Sequence, residues 1–392
     1  MSQLQINRKE DLKQLRDEGY DVTIFDGHIV VRQIPFVNSN REIKYGILLS
    51  EYNISGEEIQ KPKNHVMRFS GEYPCHADGS EIAGIKHSAL NNKLPSGIKI
   101  NFSFSNKPQG GFNNFYDKFI SYIRIICAPA FSLDNSAIPN SFNPIEVSET
   151  ESIFKYLDSN SSRAGIESIN RKLENQKIAI VGLGGTGAYI LDLISKSNVK
   201  EIHLYDGDVL LNHNAFRSPG AISLETLKQK PNKVDYYLEL YSNLRTGIHA
   251  HSQFISNQNM QLLSDFDYVF LCLDDNEIRY SCAVFLRSNN IPFSDVGLGV
   301  YSYRNELLGS IRVTSSSPSK MDHLENHIPK TNEKDENEYS TNIQIAELNC
   351  LNATFAVLQW KKFCGFYQDL KRGHSISYSI NDSNLINGDY ET

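Results

Sequence analysis

Cysteine is scarce and unpatterned in this 392-residue chain: the six are Cys75, Cys127, Cys272, Cys282, Cys350 and Cys364, and no two form a C-x-x-C pair. A structural zinc site of the paired-cysteine kind is therefore not expected, and nothing points to an oxidising compartment. Also missing are any run of eighteen apolar residues and a basic stretch leading into an apolar one at the N-terminus, so the expectation is a soluble, cytoplasmic protein with no membrane partner. Positive charge is in deficit, with 39 Lys and Arg against 46 Asp and Glu and a formal net charge of −7. That argues against a broad nucleic-acid surface and leaves small ligands open. The length implies about two to three domains with mass enough for buried cores.

The chemistry is concentrated in KIAIVGLGGTGAYILDLI, residues 177–194. This reads as a buried strand, a glycine turn and a helix start in that order. Gly182, Gly184 and Gly187 have the G-x-G-x-x-G spacing: the first permits a tight turn, the second lets backbone approach a phosphate, and the third lets helix pack on strand. Gly185 lies inside the same turn, whose amides would face an anion at the helix N-terminus. A nicotinamide dehydrogenase fits this motif as well as any other nucleotide user. The next apolar strand ends in Asp206, where a ribose ligand of a dinucleotide fold is expected. The chain then runs DGDVLLNHNAFR, with Asp206, Asp208, Asn214 and Arg217 close together, and Lys233 follows in KPNKVDYY. Hydride transfer has no use for this set. Breaking a nucleoside triphosphate does, because charge accumulating on phosphate oxygens must meet fixed Arg, Lys and metal.

GLGGTG, then Asp206, Asp208, Asn214 and Arg217, then a lysine opening the next helix, then CLDDNEIR after a strand, together resemble the ThiF/MoeB/ubiquitin-activating adenylyltransferase superfamily over about residues 160–365. The resemblance implies that Asp206, with Asp208 nearby, holds the ATP ribose and that Asn214 and Arg217 hold phosphates. It also implies that Lys233 neutralises the transition state and that an Asp of the CLDDN turn holds Mg²⁺. Asp274 and Asp275 both qualify for the metal. Asp274 is favoured because it precedes Arg279 by the family spacing. Lys228 and Lys230 compete with Lys233, which is favoured because an apolar helix pattern follows it. The implied activity is adenylation of the C-terminal carboxylate of a ubiquitin-like or sulfur-carrier protein, with pyrophosphate released. In such a family a homodimer is expected, with an arginine from the second subunit completing the site; Arg163 is the first choice for it and Arg171 the second. The alternative is a Rossmann module that binds NAD or another nucleotide, as a dehydrogenase or as a non-catalytic sensor.

Whether a thioester follows adenylation is a separate matter. The polar crossover near residues 315–342, expected to be mobile, contains no cysteine. Cys272, Cys282 and Cys350 lie in apolar patterns and read as buried filler. Cys364, at a helix end, and Cys75, in the loop-like GEYPCHADGSEI, are the possible thiols. A conjugating enzyme is a possible partner, and the N-terminal region could itself be a conjugating-like module, although it lacks a histidine-proline-asparagine motif.

The organisation expected is an α+β N-terminal domain over residues 1–130, a linker over 131–158, and an α/β, Rossmann-like ThiF-type adenylation domain with a mostly parallel sheet over 159–392. In the first domain LQINRKEDLKQLRDEGY suggests a helix and DVTIFDGHIVVRQIPFV a hairpin turning at Asp-Gly. Further strands are expected in KYGILLSEYNI, HVMRFSG and GIKINFSF, with a closing helix in FYDKFISYIRIICAPAF. Lys107, among the glycines and aromatics of SFSNKPQGGFNNFYDKF, could line a peptide groove. The whole chain looks like bacterial ThiF-family proteins that carry an additional N-terminal domain. In the second domain DVGLGV and ELLGSIRV look like paired strands turning at Arg304-Asn305. A long apolar-striped helix follows them, and the tail from His374 is expected to add one short strand.

Overall fold

The computed structural model describes residues 2–56, 58–147, 149–330 and 343–391. They form two compact units, Met1–Glu151 with Tyr156–Arg163, and Ser152–Lys155 with Ala164–Thr392.

In the first unit α1 (Ser2–Asn7) and α2 (Glu10–Asp17) lead into β1 (Asp21–Phe25), β2 (His28–Val37), β3 (Ile43–Glu51), the small β4 (Ile54–Ser55) and β5 (Glu58–Ile59) pair, β6 (Val66–Ser70), β7 (Lys86–Lys93) and β8 (Lys99–Ser105). The main sheet is antiparallel in the order β1-β2-β3-β6-β8-β7. Asp26 and Gly27 both have positive φ, which suits the right-handed twist of the β1–β2 hairpin. Helix α3 (Phe115–Leu133) is capped by Asn114, whose side chain accepts from the Asp117 amide. It lays Phe115, Phe119, Tyr122 and Ile126 on a core that includes Ile29, Leu48, Met67, Phe69 and Phe104. Each such side chain contributes about 1.5–3 kcal/mol by leaving water. The α+β reading of this unit holds. The exit linker expected over 131–158 differs: Ala137 is buried beside Val37 and Ala130, and a Cβ on Gly19 would sit 2.4 Å from the Phe142 ring. Most of that stretch belongs to the first unit, held by the buried Ala137 and by hydrogen bonds from the Phe142 amide to the Gly19 carbonyl and from the Asn140 side chain to the Glu18 carbonyl.

The second unit carries α5 (Glu167–Asn170), just past α4 (Ser159–Ala164), and then an eight-stranded sheet. Its strands are β9 (Lys177–Val181), β10 (Glu201–Tyr205), β11 (Ile248–His251), β12 (Tyr268–Leu271), β13 (Phe293–Tyr303), β14 (Glu306–Ser315), β15 (Gly373–Ser379) and β16 (Asn384–Tyr390). Their spatial order is β11-β10-β9-β12-β13-β14-β15-β16, parallel through β13 and antiparallel after it. Strand β9 is buried on both faces, as parallel strands between helical layers are. Ile178 and Ile180 face one core, with α6 (Gly185–Ser195), α8 (Lys233–Tyr241) and α11 (Ala346–Phe363). Ala179 and Val181 face the other, with α9 (Asn276–Ser288). The short α7 (Leu224–Gln229) and α10 (Leu324–His327) complete the helices.

The strand order reverses at β9, with β10 on one side and β12 on the other. In open α/β sheets ligands bind at such a switch point, outside the carboxyl ends of the strands. The turn at Arg304-Asn305 forms as expected, both residues having positive φ. Two differences stand out. The tail supplies two strands, β15 and β16, because Ile376 can be buried against β14. The described part of the crossover expected to be mobile is packed: Ser316, Ser317, Leu324 and Ile328 are all buried. Residues 331–342 of that segment lie outside the described residues. No helix among the described residues is long and apolar enough to cross a membrane.

Candidate nucleotide site

The site grows from the turn between β9 and α6. Gly182 has φ +92°, and a Cβ there would lie 2.5 Å from the Cys272 carbonyl. A Cβ on Gly187 would lie 1.9 Å from the Gly182 carbonyl, so these two glycines let helix and strands close on one another. A Cβ on Gly185 would meet the Asn349 side chain at 2.0 Å. Gly184 alone has open space over it, and no side chain caps α6. The free side of the turn thus presents first-turn amides beside bare glycine, the arrangement that receives an anion. Gly187→Ala is expected to lower the unfolding midpoint, by about 1–3 kcal/mol or more of overpacking. Gly184→Ala should leave that midpoint nearly unchanged and weaken nucleotide binding. Thermal unfolding with and without ATP checks both.

Asp206, at the end of β10, is nearly buried and is tied to that turn. Its two carboxylate oxygens accept from the Leu183 amide at 2.7 Å and the Asp208 amide at 2.8 Å. Lys233 opens α8 and is 6% exposed. Its Nζ donates to Asp208 at 2.7 Å and lies 3.5 Å from Asp206. The competing lysines are elsewhere: Lys228 is exposed and paired with Glu225, and Lys230 is the exposed left-handed C-cap of α7. Asn214 is buried, and its side-chain oxygen accepts from the Leu211 amide at 2.8 Å, which shapes the turn that delivers Arg217. Arg217 is half-buried, and its Nε is buried without a hydrogen-bond partner among the described residues. Burial lowers the guanidinium's pKa, while nearby Asp274 opposes that shift.

The two aspartates of the CLDDN turn have different surroundings. Asp275 caps α9, its carboxylate accepting from the Glu277 and Ile278 amides at 3.0 and 3.1 Å. Asp274 is exposed and faces Arg217 electrostatically. Behind this turn the fully buried Asp295 is held between Arg279 at 3.3 Å and Arg312 at 2.6 Å, which fixes β13 against α9.

One organising residue escaped the sequence reading. Asn349, on α11, accepts from the Thr186 hydroxyl at 2.9 Å and donates to the Arg217 carbonyl at 3.3 Å. It fastens the glycine turn to the arginine loop from a position 163 residues beyond Thr186 and 132 beyond Arg217. The available signal was an asparagine inside the otherwise apolar stripe of a long helix.

Gly182 to Gly187, Asp206, Asp208, Asn214, Arg217, Lys233 and Asp274 are therefore joined through direct contacts or electrostatics. Arg163 is exposed and belongs to the first unit, and Arg171 is exposed on a short 3₁₀ turn. Lys107 is exposed in the first unit. Neither of the two thiols has the lowered pKa that activates a cysteine nucleophile. Cys75, in the loop-like stretch between strands, is 1% exposed where it pairs with Val37 and Glu81, and burial together with Glu81, Asp78 and Glu72 raises its pKa. Cys364 is half-buried, and burial pushes it up to about 12. Both are expected to react with a soluble disulfide reagent at pH 7.5 far more slowly than they do in the denatured chain. Mass mapping of the labelled cysteines over time checks this.

A model of the ThiF family matches residues 159–363, just over half of the chain, and one described as a domain of unknown function, DUF6791, matches residues 10–159. A tRNA threonylcarbamoyladenosine dehydratase of Haemophilus influenzae is 26% identical over 32% of this chain and 49% of its own length. A ubiquitin-like modifier-activating enzyme 5 of Drosophila virilis is 25% identical over 32% of this chain and 34% of its own. The chain thus spans about half or less of these curated relatives. Among solved structures, Escherichia coli MccB with MccA-N7isoASN aligns at 18% identity and a TM-score of 0.46, over 59% of this chain and 70% of that one. Escherichia coli TcdA in complex with AMP aligns at 15% identity and 0.40, over 53% and 92%.

Proposed function

Since the chain belongs to the ThiF family, we propose that it uses ATP to adenylate the C-terminal carboxylate of a ubiquitin-like or other small carrier protein. The observation that carries this reading is the linkage of Arg217 and Lys233 to an uncapped glycine turn: Lys233 pairs with Asp206 and Asp208, and Asp206 accepts from the turn's Leu183 amide, while Asn349 joins Thr186 to the Arg217 carbonyl. Two cations beside a phosphate cradle serve a reaction in which phosphate charge grows, and hydride transfer has no such need.

In the proposed step a carboxylate oxygen bonds to the α-phosphorus, the bond to the bridging oxygen breaks, and its electron pair leaves with pyrophosphate. Asp206 holds the ribose, with Asp208 beside it. The first-turn amides and Asn214 position the phosphates. Arg217 and Lys233 meet the charge on the departing pyrophosphate, Lys233 being released from Asp208 as the nucleotide takes its place. Asp274, exposed and near Arg217, would suit Mg²⁺, a hard ion that takes carboxylate and phosphate oxygens and supplies charge neutralisation. No covalent nucleophile is required, in keeping with the raised thiols at Cys75 and Cys364.

A protein tail is favoured over tRNA as the substrate because the chain carries a net charge of −7, unfavourable for a polyanion. One relative is named as an activator of a ubiquitin-like modifier. Arg163 could reach the site of a second copy, which makes a homodimer part of this proposal. The test is ATP–pyrophosphate exchange. The full chain should incorporate labelled pyrophosphate into ATP only when a cognate carrier with a free C-terminus is present. No exchange with any carrier would sink the proposal.

A further inference from the structure

We propose that Glu201, His203 and His249 form a binding site for one divalent transition ion of the zinc class, on the outer strands of the eight-stranded sheet and apart from the glycine turn. The sheet register places them together. His203 on β10 lies directly across from His249 on the edge strand β11. Glu201 lies two residues before His203 and so on the same face of the strand. The intervening Ile202 and Leu204 go to the opposite face and into the core. One ligand atom from each of Glu201, His203 and His249 lies within 4.8 Å of the others.

The spacing suits an ion. His203 Nε2 is 3.3 Å from Glu201 Oε2, and bonds of about 2.0–2.1 Å at a tetrahedral centre put ligand atoms roughly 3.3 Å apart. The other ring nitrogen of His203 is engaged by His251 Nε2 at 3.0 Å. A metal-binding imidazole is ordinarily oriented by such a partner on its far nitrogen. The rings are held in a stack, His203 at 4.4 Å from His249 and 5.2 Å from His251, with Phe266 edge-on at 4.9 Å. Two strands fix their backbones, so little ordering remains to be done on binding. Two histidines and a carboxylate with a fourth position open to solvent is a donor set that zinc accepts.

The protonation states agree. Burial pushes His203 down to about 4, with Glu201 opposing, so the ring is neutral at pH 7. Burial would raise Glu201, but the His203 contact and the nearby Lys177 and Lys200 outweigh it, and the carboxylate is held below its usual value. Lys177 at 3.9 Å and Lys200 at 3.8 Å compete with the ion for Glu201. They are the local charges that set an upper limit on affinity.

The test uses the full chain, stripped with a chelator and titrated with Zn²⁺ alone by calorimetry and with Co²⁺ by absorption. One ion per chain is expected, with a rise in the unfolding midpoint on adding Zn²⁺. His249→Gln, at an exposed position, and Glu201→Gln should each weaken binding at least tenfold and remove the midpoint rise. Midpoints measured without metal show whether each variant is folded. His327→Gln, in a separate cluster where His327 pairs with Asp389 at 2.8 Å, should bind as the wild type does. Three results would overturn the proposal: no saturable binding, binding that survives both substitutions, or binding lost only in His327→Gln.

Discussion

Arg217→Ala is expected to reduce carrier-dependent ATP–pyrophosphate exchange by about 10²–10³-fold, the usual cost of losing one fixed group that meets transition-state charge. The loss should fall on the rate more than on ATP affinity, because charge on the departing pyrophosphate is greatest in the transition state. The fold should tolerate the change. The Arg217 backbone carbonyl that binds Asn349 is retained, and the side chain's Nε makes no hydrogen bond among the described residues. Arg217→Lys keeps the charge but not the planar fork, so it should recover only part of the rate. Lys228→Ala, at an exposed ion pair with Glu225, is the matched control and should exchange normally. Unchanged exchange in Arg217→Ala would remove the central support for adenylation.

The second large effect separates two adjacent carboxylates. Asp274→Ala should abolish Mg²⁺-dependent exchange and leave stability within about 0.5 kcal/mol, as befits an exposed side chain. Asp275→Ala should do the reverse in emphasis. It removes the cap that accepts from the Glu277 and Ile278 amides, at a cost of about 1 kcal/mol, while exchange at saturating Mg²⁺ stays within a few-fold of the wild type. Denaturant unfolding and exchange measured across a Mg²⁺ series supply the two readouts. If both variants lost activity equally, with no difference in Mg²⁺ dependence, the division of roles between the two aspartates would be wrong.

Much of this was legible in the chain because the relevant signals are local. The run KIAIVGLGGTG has to be a doubly buried strand and a turn, since its apolar block has no polar face and its glycines occur where close approach demands them. Asp206 and Lys233 could be picked out by order along the chain, and the surrounding pattern of helix starts separated Lys233 from Lys228 and Lys230. The Arg304-Asn305 and Asp26-Gly27 turns were likewise readable, because turn chemistry is written in adjacent residues.

The misreadings share a cause in long-range packing. SLDNSAIPNSFNP looks like a linker by composition, yet Ala137 finds a place in the first unit's core. GEYPCHADGSEI looks loop-like, and Cys75 within it is sealed from water by pairing with the distant Val37 as well as with Glu81 of the same stretch. The polar tail looks able to form one strand, yet it pairs as two once β14 offers an edge.

The sequence by itself determined the residue types and order of a glycine turn, an acidic strand end, an arginine and a lysine, because backbone geometry and charge chemistry restrict those positions locally. Only the tertiary structure decided which aspartate caps a helix and which stays free. It also decided that Asn349 ties the turn to Arg217, and that Glu201, His203 and His249 share one face of a sheet. Each of these depends on strand register and on contacts between distant segments, which burial and pairing set only once the whole chain has folded.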